Sequence, residues 1–232
     1  ESELAGVLAH EISHVTQNHI ARIVDSQKGS ALTSLAALAI AILAARSDNP
    51  QMAQAAITTA QAMQLQSQLD YTREHEKEAD RIGLQTLSDS GYDPSGMASF
   101  FERLMAKGRL YQSEAPAYLR THPLTHERMA DLQNRLGEMK YRQHADGLDF
   151  QLVRARVQAS EGEAGNAFRH FKALAGSRRS DEATRYGYVL AALRAGERDL
   201  AAKAFNKLEP DLASPMAVTL AARIRMETGQ TG

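Results

Sequence analysis

The sequence contains no cysteine and few aromatic residues, and each shortage excludes a class of structure or chemistry. None of its 232 residues is Cys, so a disulfide framework, a thiolate metal site and a cysteine nucleophile are all excluded. Aromatic residues make up only 6% of the chain, and alternating runs of β-branched residues are missing, so strand signals are scarce. Any catalysis must therefore use histidine and carboxylate side chains.

The chain also lacks an excess of charge of either sign. Its 27 Lys and Arg residues balance 28 Asp and Glu residues, which gives a formal net charge of −1 at pH 7. A domain that binds a polyanion normally carries a basic patch and a high pI. Nucleic acid is therefore not an expected partner.

A long hydrophobic run is missing as well. The uncharged stretch 29–45 is rich in Ala and lies between Lys28 and Arg46. As a helix it would cover about 26 Å, whereas a transmembrane helix normally needs about 20 apolar residues. We expect a core helix or an apolar flap here, and membrane contact that is peripheral at most.

The residues that are abundant favour helix. Ala, Leu, Gln, Glu and Arg fill long stretches of the chain, and combinations of Pro, Gly, Asp and Asn separate these stretches. The sequence therefore predicts an all-α fold. A break near residue 145 divides it into two predicted domains, residues 1–145 and residues 146–232.

The second predicted domain contains an internal repeat with a period of 34 residues. Five pairs superpose at this offset: Gly162 with Gly196, Glu163 with Glu197, Ala167 with Ala201, Phe171 with Phe205, and Leu174 with Leu208. This is the tetratricopeptide period, so residues 148–228 are predicted to hold about two and a half helix pairs with one free surface. The alternative is a helical bundle whose helix pairs have similar lengths.

The segment His10-Glu11-Ile12-Ser13-His14 carries an H-E-x-x-H motif inside a helical pattern. Residues four apart on a helix are neighbours, with Cβ atoms about 6 Å apart, so both histidines can point a ring nitrogen at one ion. Zinc accepts imidazole ligands, and a catalytic zinc site uses three protein ligands and a water molecule. Glu11 projects beside this face, where it can reach the water instead of the metal.

Helix geometry also predicts which face of this segment packs. Leu4, Leu8, Ile12 and Val15 lie on the side opposite the two motif histidines, so we expect these four residues to be buried. His19 falls on the same side. It is therefore excluded as a ligand and predicted to be a packed or surface histidine.

A third ligand is expected from residues 73–80. A helical wheel centred on Glu76 places it on an apolar stripe with Leu65 and Leu69, so Glu76 is predicted to point inward. A carboxylate on such a stripe must be paired or bound to a metal. Asp80, one turn later, can accept the free ring N–H of a liganding histidine and fix its tautomer. The alternative for both carboxylates is a buried ion pair with an arginine.

The neighbouring titratable residues point elsewhere on the same wheel. Glu74 and Glu78 fall on the far side of the helix, where a solvated charge is the ordinary interpretation. His75 lies about 100° away from Glu76.

Together these motifs resemble a known family. His10-Glu11-x-x-His14 followed by Glu76-x-x-Ala79-Asp80 on a later helix is similar to the gluzincin metallopeptidases of the HtpX and CAAX-prenyl-protease type. The resemblance implies one zinc ion held by His10, His14 and Glu76, with Glu11 as the general base and Asp80 supporting the ligands.

A third element extends the resemblance. His122-Pro123 with Arg128 five residues beyond the proline is similar to the family's H-P-x-x-x-x-R element. The resemblance implies that Arg128 supports the site and leaves two roles open for His122: stabilising the oxyanion, or closing the site as a fourth zinc ligand. His126, which lacks the proline context, is predicted to be structural.

The resemblance further implies a zinc endopeptidase of the bacterial periplasm. It is closest to family members with a tetratricopeptide tail, so its expected partners are misassembled outer-membrane proteins and, through the repeat domain, the β-barrel assembly machinery. Because the chain begins at Glu1 already in a helical pattern, its natural start is expected to lie upstream, and the resemblance implies that this upstream part supplies a sheet. The alternative is a tetratricopeptide chaperone or adaptor with a structural or closed zinc site.

Overall fold

The computed structural model describes residues 1–26, positions 35, 39 and 42, and residues 50–110, 117–177, 180–208 and 214–227. All regular secondary structure in these residues is helical, which confirms the all-α prediction. Contacts divide the chain into two compact units, Glu1–His144 and Ala145–Gly232.

Six helices are described in the first unit. They are α1 (Ser2–Thr16), α2 (described over residues 19–26), α3 (Pro50–Asp89), α4 (Ser95–Leu110), α5 (Ala117–Thr121) and α6 (His126–Glu138). Helix α1 packs against both α3 and α4, and α6 packs on the same two helices. The core between them is formed by Leu84, Leu87, Met97, Phe101 and Leu132, among others.

Two glycines bring α1 close to its neighbours. A Cβ atom on Gly6 of α1 would lie 3.0 Å from the Cα of Met97 on α4. A Cβ atom on Gly83 of α3 would lie 3.0 Å from the backbone nitrogen of His10. The approach at Gly83 holds the H-E-x-x-H segment against α3, which carries Glu76 and Asp80, and the approach at Gly6 holds α1 against α4.

The buried face of α1 is not the predicted one. Its four large apolar residues, expected to be buried, are all at least half exposed: Leu4, Leu8, Ile12 and Val15. The buried residues are instead Gly6, Ala9, His10 and Ser13. The prediction was wrong because small side chains, rather than large ones, form the contact that brings two helix backbones close together. His10 is part of that packed face because carboxylates of α3 face its ring.

The apolar stripe of α3 is also buried only in part. Ala79 and Leu87, which follow Glu76 on the same stripe, are buried, whereas Leu65 and Leu69, which precede it, are exposed. Glu76 itself is buried on this stripe.

The uncharged stretch 29–45 lies almost wholly outside the described residues, so neither the core helix nor the flap predicted for it is tested. Among the described residues, no helix combines the length and the apolarity that a membrane crossing requires.

The second unit contains paired helices at a regular offset. They are α7 (Leu148–Ser160), α8 (Ala164–Ala175), α9 (Glu182–Arg194), α10 (Arg198–Phe205) and α11 (Pro215–Glu227). The starts of α7 and α9 are 34 residues apart, as are those of α8 and α10. The turn within each pair contains a glycine at positive φ, Gly162 at +58° and Gly196 at +83°. The offset of the sequence repeat thus recurs in the helices, while the tetratricopeptide assignment itself stays a prediction.

Candidate metal centre

Four side chains from three segments of the first unit meet at one point. His10 and His14 come from α1, Glu76 comes from α3, and His122 follows directly after α5. One ligand atom of each lies within 4.8 Å of those of the other three. The structure therefore brings together the three predicted zinc ligands and the histidine for which two roles were open.

The distances within this cluster fit a zinc ion. The Nε2 atoms of His10 and His14 are 3.0 Å apart, and they lie 3.4 and 3.3 Å from the two carboxylate oxygens of Glu76. Ligand atoms placed about 2.0–2.1 Å from a tetrahedral zinc ion are about 3.4 Å from one another. Two imidazoles and one carboxylate at this spacing match both the chemistry and the size of a zinc site.

Asp80 and Arg128 support the cluster from behind. Asp80 Oδ1 lies 2.9 Å from His10 Nδ1, on the side of the ring away from the other ligands. Arg128 donates hydrogen bonds to both oxygens of Asp80, each at 2.7 Å, and its Nη1 lies 2.8 Å from Glu76. Asp80 thus makes both of the contacts that the sequence left as alternatives: it faces a histidine, and it forms a buried ion pair with an arginine.

Burial and hydrogen bonding act in opposite directions on these groups. Burial alone would raise the pKa of Glu76, but hydrogen bonds with His10 and His122 and the charge of Arg128 hold it far below its usual range. Burial alone would lower the pKa of His10, but the contacts with Asp80 and Glu76 raise it to about 9. The pKa of Asp80 is lowered despite burial by its bonds with His10 and Arg128. Both carboxylates are therefore anionic, as ligation and support of a cation require.

Glu11 lies at the open side of the cluster. Its side chain is 42% exposed, and its Oε1 lies 3.7 Å from His122 Nε2. The Tyr118 ring stacks on the His122 ring, with centroids 4.8 Å apart. Burial and the charge of Glu11 raise the pKa of Tyr118 above its usual value. Sequence reasoning missed Tyr118, which belongs to no motif; its only signal is its place one helical turn before His122.

His19 lies much nearer the site than predicted. It is 1% exposed, its Nδ1 is 2.9 Å from His14 Nδ1, and its Nε2 is 3.2 Å from Glu78 Oε2. The wheel failed because α1 ends at Thr16 and Asn18 takes a positive φ of 55°, so the chain turns before His19. His19 is outside the cluster of four but touches one of its members.

Glu78 is not the freely solvated charge that the wheel predicted. Its Oε2 accepts a hydrogen bond from Arg22 Nη1 at 2.7 Å in addition to the contact with His19. His75 is buried and stacks on His19 with centroids 4.3 Å apart and the rings nearly parallel. Burial and the neighbouring charges lower the pKa of His75 to about 4, and burial lowers that of His19. Both rings are therefore neutral at pH 7.

Two other predictions concern residues outside the cluster. Glu74 is exposed on α3, as the wheel predicted. His126 begins α6 and is exposed, without a place among the ligand atoms of the described site.

Comparisons with known proteins match the part of the chain that carries this cluster. The model of peptidase family M48 matches residues 1–136, which include all four members of the cluster as well as Glu11, Asp80 and Arg128. The β-barrel assembly-enhancing protease of Escherichia coli K12 is 40% identical over 212 residues, which cover 90% of this chain and 43% of that protein.

Other relatives match shorter parts of the chain. A putative β-barrel assembly-enhancing protease of Vibrio cholerae is 44% identical over 159 residues, 68% of this chain and 32% of that protein. The mitochondrial metalloendopeptidase OMA1 of Arabidopsis thaliana is 30% identical over 123 residues, 53% of this chain and 22% of that protein. The chain thus spans less than half the length of these curated relatives.

Proposed function

Because the chain belongs to peptidase family M48, we propose that the protein is a zinc-dependent endopeptidase with His10, His14 and Glu76 as its ligands. The observation that carries the proposal is the spacing of their ligand atoms, 3.0 to 3.4 Å, which matches the edge of a tetrahedral zinc site. When bound there, zinc polarises the scissile carbonyl group and lowers the pKa of a water molecule.

The other residues have separate tasks in this proposal. Glu11, partly exposed beside the ligands, takes a proton from the attacking water and passes it to the leaving amine nitrogen. Asp80 accepts the Nδ1–H of His10, which holds its ring with the Nε2 lone pair towards the metal. Arg128 compensates the negative charge of both buried carboxylates.

For His122 we propose the closing role. Its ligand atom lies within 4.8 Å of those of His10, His14 and Glu76, and its Nδ1 lies 2.9 Å from Glu76 Oε1, so a small movement of the ring places it among the ligands. An imidazole in the fourth position excludes the attacking water, so this conformation is latent. Activity then requires His122 to leave the stack with Tyr118.

Elemental analysis of purified wild-type and His14→Ala proteins tests the metal site first. We expect about one zinc ion per wild-type chain and little in the variant, because removal of one ligand lowers zinc affinity. Equal zinc in both proteins, or none in the wild type after incubation with zinc at neutral pH, would overturn the proposal.

The cluster of four donors also favours a second candidate, a chaperone or adaptor whose zinc site is permanently closed. The two are distinguished by cleavage of a loosely folded protein such as casein, with and without a chelator. Chelator-sensitive cleavage supports the peptidase. Zinc binding without cleavage, both in the wild type and in a variant that lacks His122, supports the adaptor.

We propose the bacterial periplasm as the location and misassembled outer-membrane proteins as the substrates. The relatives in Escherichia coli and Vibrio cholerae support this, since they are named as a β-barrel assembly-enhancing protease and a putative one, respectively. The paired helices of the second unit, at their 34-residue offset, support a tetratricopeptide domain that docks the β-barrel assembly machinery. Binding of the purified chain to the purified machinery, measured by calorimetry, tests the docking; no binding at micromolar concentrations would contradict it.

A further inference from the structure

We propose that His19 and Glu78 are positioning residues that hold the proton of His14 on Nδ1 and so present the Nε2 lone pair to the metal. The inference rests on the proposed role of His14 as a zinc ligand. It concerns three residues in line: the Glu78 carboxylate, the His19 ring and the His14 ring.

The Glu78 carboxylate, at one end of this line, can only accept hydrogen bonds. Glu78 Oε2 accepts a hydrogen bond from Arg22 at 2.7 Å, and an arginine side chain stays charged in proteins. An ionised carboxylate only accepts hydrogen bonds. The His19 Nε2 atom, 3.2 Å from the same oxygen, must therefore carry a hydrogen and donate it.

The second step determines the other nitrogen of His19. The ring is buried and stacked on His75, which favours its neutral form. A neutral imidazole with its hydrogen on Nε2 has a lone pair on Nδ1. His19 Nδ1 is therefore an acceptor.

The acceptor at His19 Nδ1 determines which nitrogen of His14 carries the hydrogen. The Nδ1 atoms of the two rings are 2.9 Å apart, a contact that needs one donor and one acceptor. Since His19 supplies the acceptor, His14 supplies the N–H from Nδ1. Its Nε2 then carries a lone pair, and this atom faces His10 Nε2 at 3.0 Å and Glu76 Oε1 at 3.3 Å.

Each of the two ligand histidines of α1 is thus oriented by a carboxylate, one directly and the other through a second ring. His10 contacts the carboxylate of Asp80 directly, whereas His14 reaches the carboxylate of Glu78 through an intervening imidazole. Hydrogen bonds of this kind fix the tautomer and raise the basicity of a metal ligand, and their loss typically lowers metal affinity about 10–100-fold. The turn at Asn18 is what brings His19 to this position.

Histidine NMR of the 15N-labelled full chain reads the proposal directly. In the metal-free wild type we expect long-range 1H–15N spectra to show His14 with a protonated Nδ1 and an unprotonated Nε2. His19→Phe, which keeps a buried ring against His75 but removes both nitrogens, should yield a mixture of His14 tautomers. If His19 had only a structural role, its replacement would leave the tautomer of His14 unchanged.

Zinc affinity, measured by competition with a chromogenic chelator, gives the second readout. We expect about a 10–100-fold loss for His19→Phe and a smaller loss for Glu78→Gln, whose amide can also donate and so no longer enforces one direction. Glu74→Gln, an exposed charge on the same helix, is the matched control and should leave affinity unchanged. Glu78 is partly exposed, so Glu78→Gln should disturb folding less than His19→Phe. It therefore provides the test if His19→Phe fails to fold.

The outcomes separate this proposal from the proposed function. A wild-type His14 with its hydrogen on Nε2 would overturn the positioning role, as would a tautomer and zinc affinity that are the same in Glu78→Gln as in the wild type. Equal zinc binding by wild type and His14→Ala would instead overturn the ligand role of His14, and the NMR spectra would still report the line of hydrogen bonds.

Discussion

Arg128 donates two hydrogen bonds to Asp80, one to each carboxylate oxygen and both at 2.7 Å. The same guanidinium lies 2.8 Å from Glu76 through Nη1, so one buried cation serves two buried anions. Asp80 in turn faces His10. Through Arg128, α6 therefore contacts the acidic residues of α3 directly and His10 of α1 by way of Asp80.

Replacing Arg128 by Met should destabilise the metal-free protein strongly. Removing one partner of a buried ion pair leaves an uncompensated charge, at a cost of about 3–5 kcal/mol in the free energy of unfolding. Urea unfolding in the presence of a chelator measures this. Arg135→Met on the same helix removes an exposed pair with Asp131 and should cost at most about 1 kcal/mol. Equal effects of the two substitutions would contradict the assigned role of Arg128.

Gly83→Ala should displace α1 and weaken the metal site. Its Cβ would lie 3.0 Å from the His10 backbone nitrogen and 3.1 Å from the Ala9 carbonyl, and backbone atoms cannot rotate away. We expect a loss of about 1–3 kcal/mol in unfolding free energy from overpacking, together with lower zinc affinity.

A second glycine provides the control for this variant. Nothing lies within 4 Å of a Cβ built on Gly137 in α6, so Gly137→Ala should be neutral or stabilise by up to about 1 kcal/mol. A Gly83→Ala protein as stable as this control, with unchanged zinc affinity, would show that the close approach does not hold the site.

The site was predictable from the sequence where a motif reports local geometry. The spacing of His10 and His14 on one helix, and of Glu76 and Asp80 on another, fixes which side chains share a face before any tertiary contact is known. These four residues do meet in the structure. Tyr118 had no such signal, because its contact with His122 depends on where a short helix ends.

The failures have a common physical origin. The face of α1 was assigned by side-chain size, yet close helix packing in this unit depends on small residues such as Gly6 and Ala9. His19 was placed by extending the helical wheel through residue 18, where the chain has already left the helix. Periodicity is reliable only within one uninterrupted helix, and the stop signal here is Asn18, a residue type that sometimes takes the left-handed conformation just after a helix end.

Glu11→Gln should retain zinc and lose proteolysis. The amide keeps the size of the side chain but cannot take a proton from the attacking water, and loss of a general base typically lowers the rate about 10²–10⁴-fold. Zinc content and the initial rate of casein cleavage, measured on the same preparation, check both halves. Full cleavage by this variant would exclude Glu11 as the base, whereas loss of zinc would mean that it supports the metal instead.

His122→Ala should raise the rate of cleavage. If the ring closes the site, its removal admits water and substrate to every molecule. The rate should then rise by the reciprocal of the fraction of wild-type molecules that are open. His126→Ala, at an exposed position four residues later, should leave the rate unchanged.

The two roles of His122 predict changes of opposite sign, so one rate comparison separates them. An oxyanion stabiliser contributes about 10²–10³ to kcat, and its removal would cause a fall of that size. Tyr118→Ala adds a second test, because it removes the ring on which His122 stacks but neither ligand nor base. If stacking holds the site closed, this variant should also be more active than the wild type, by less than His122→Ala. A fall in both variants would instead assign the pair to the chemistry of the reaction.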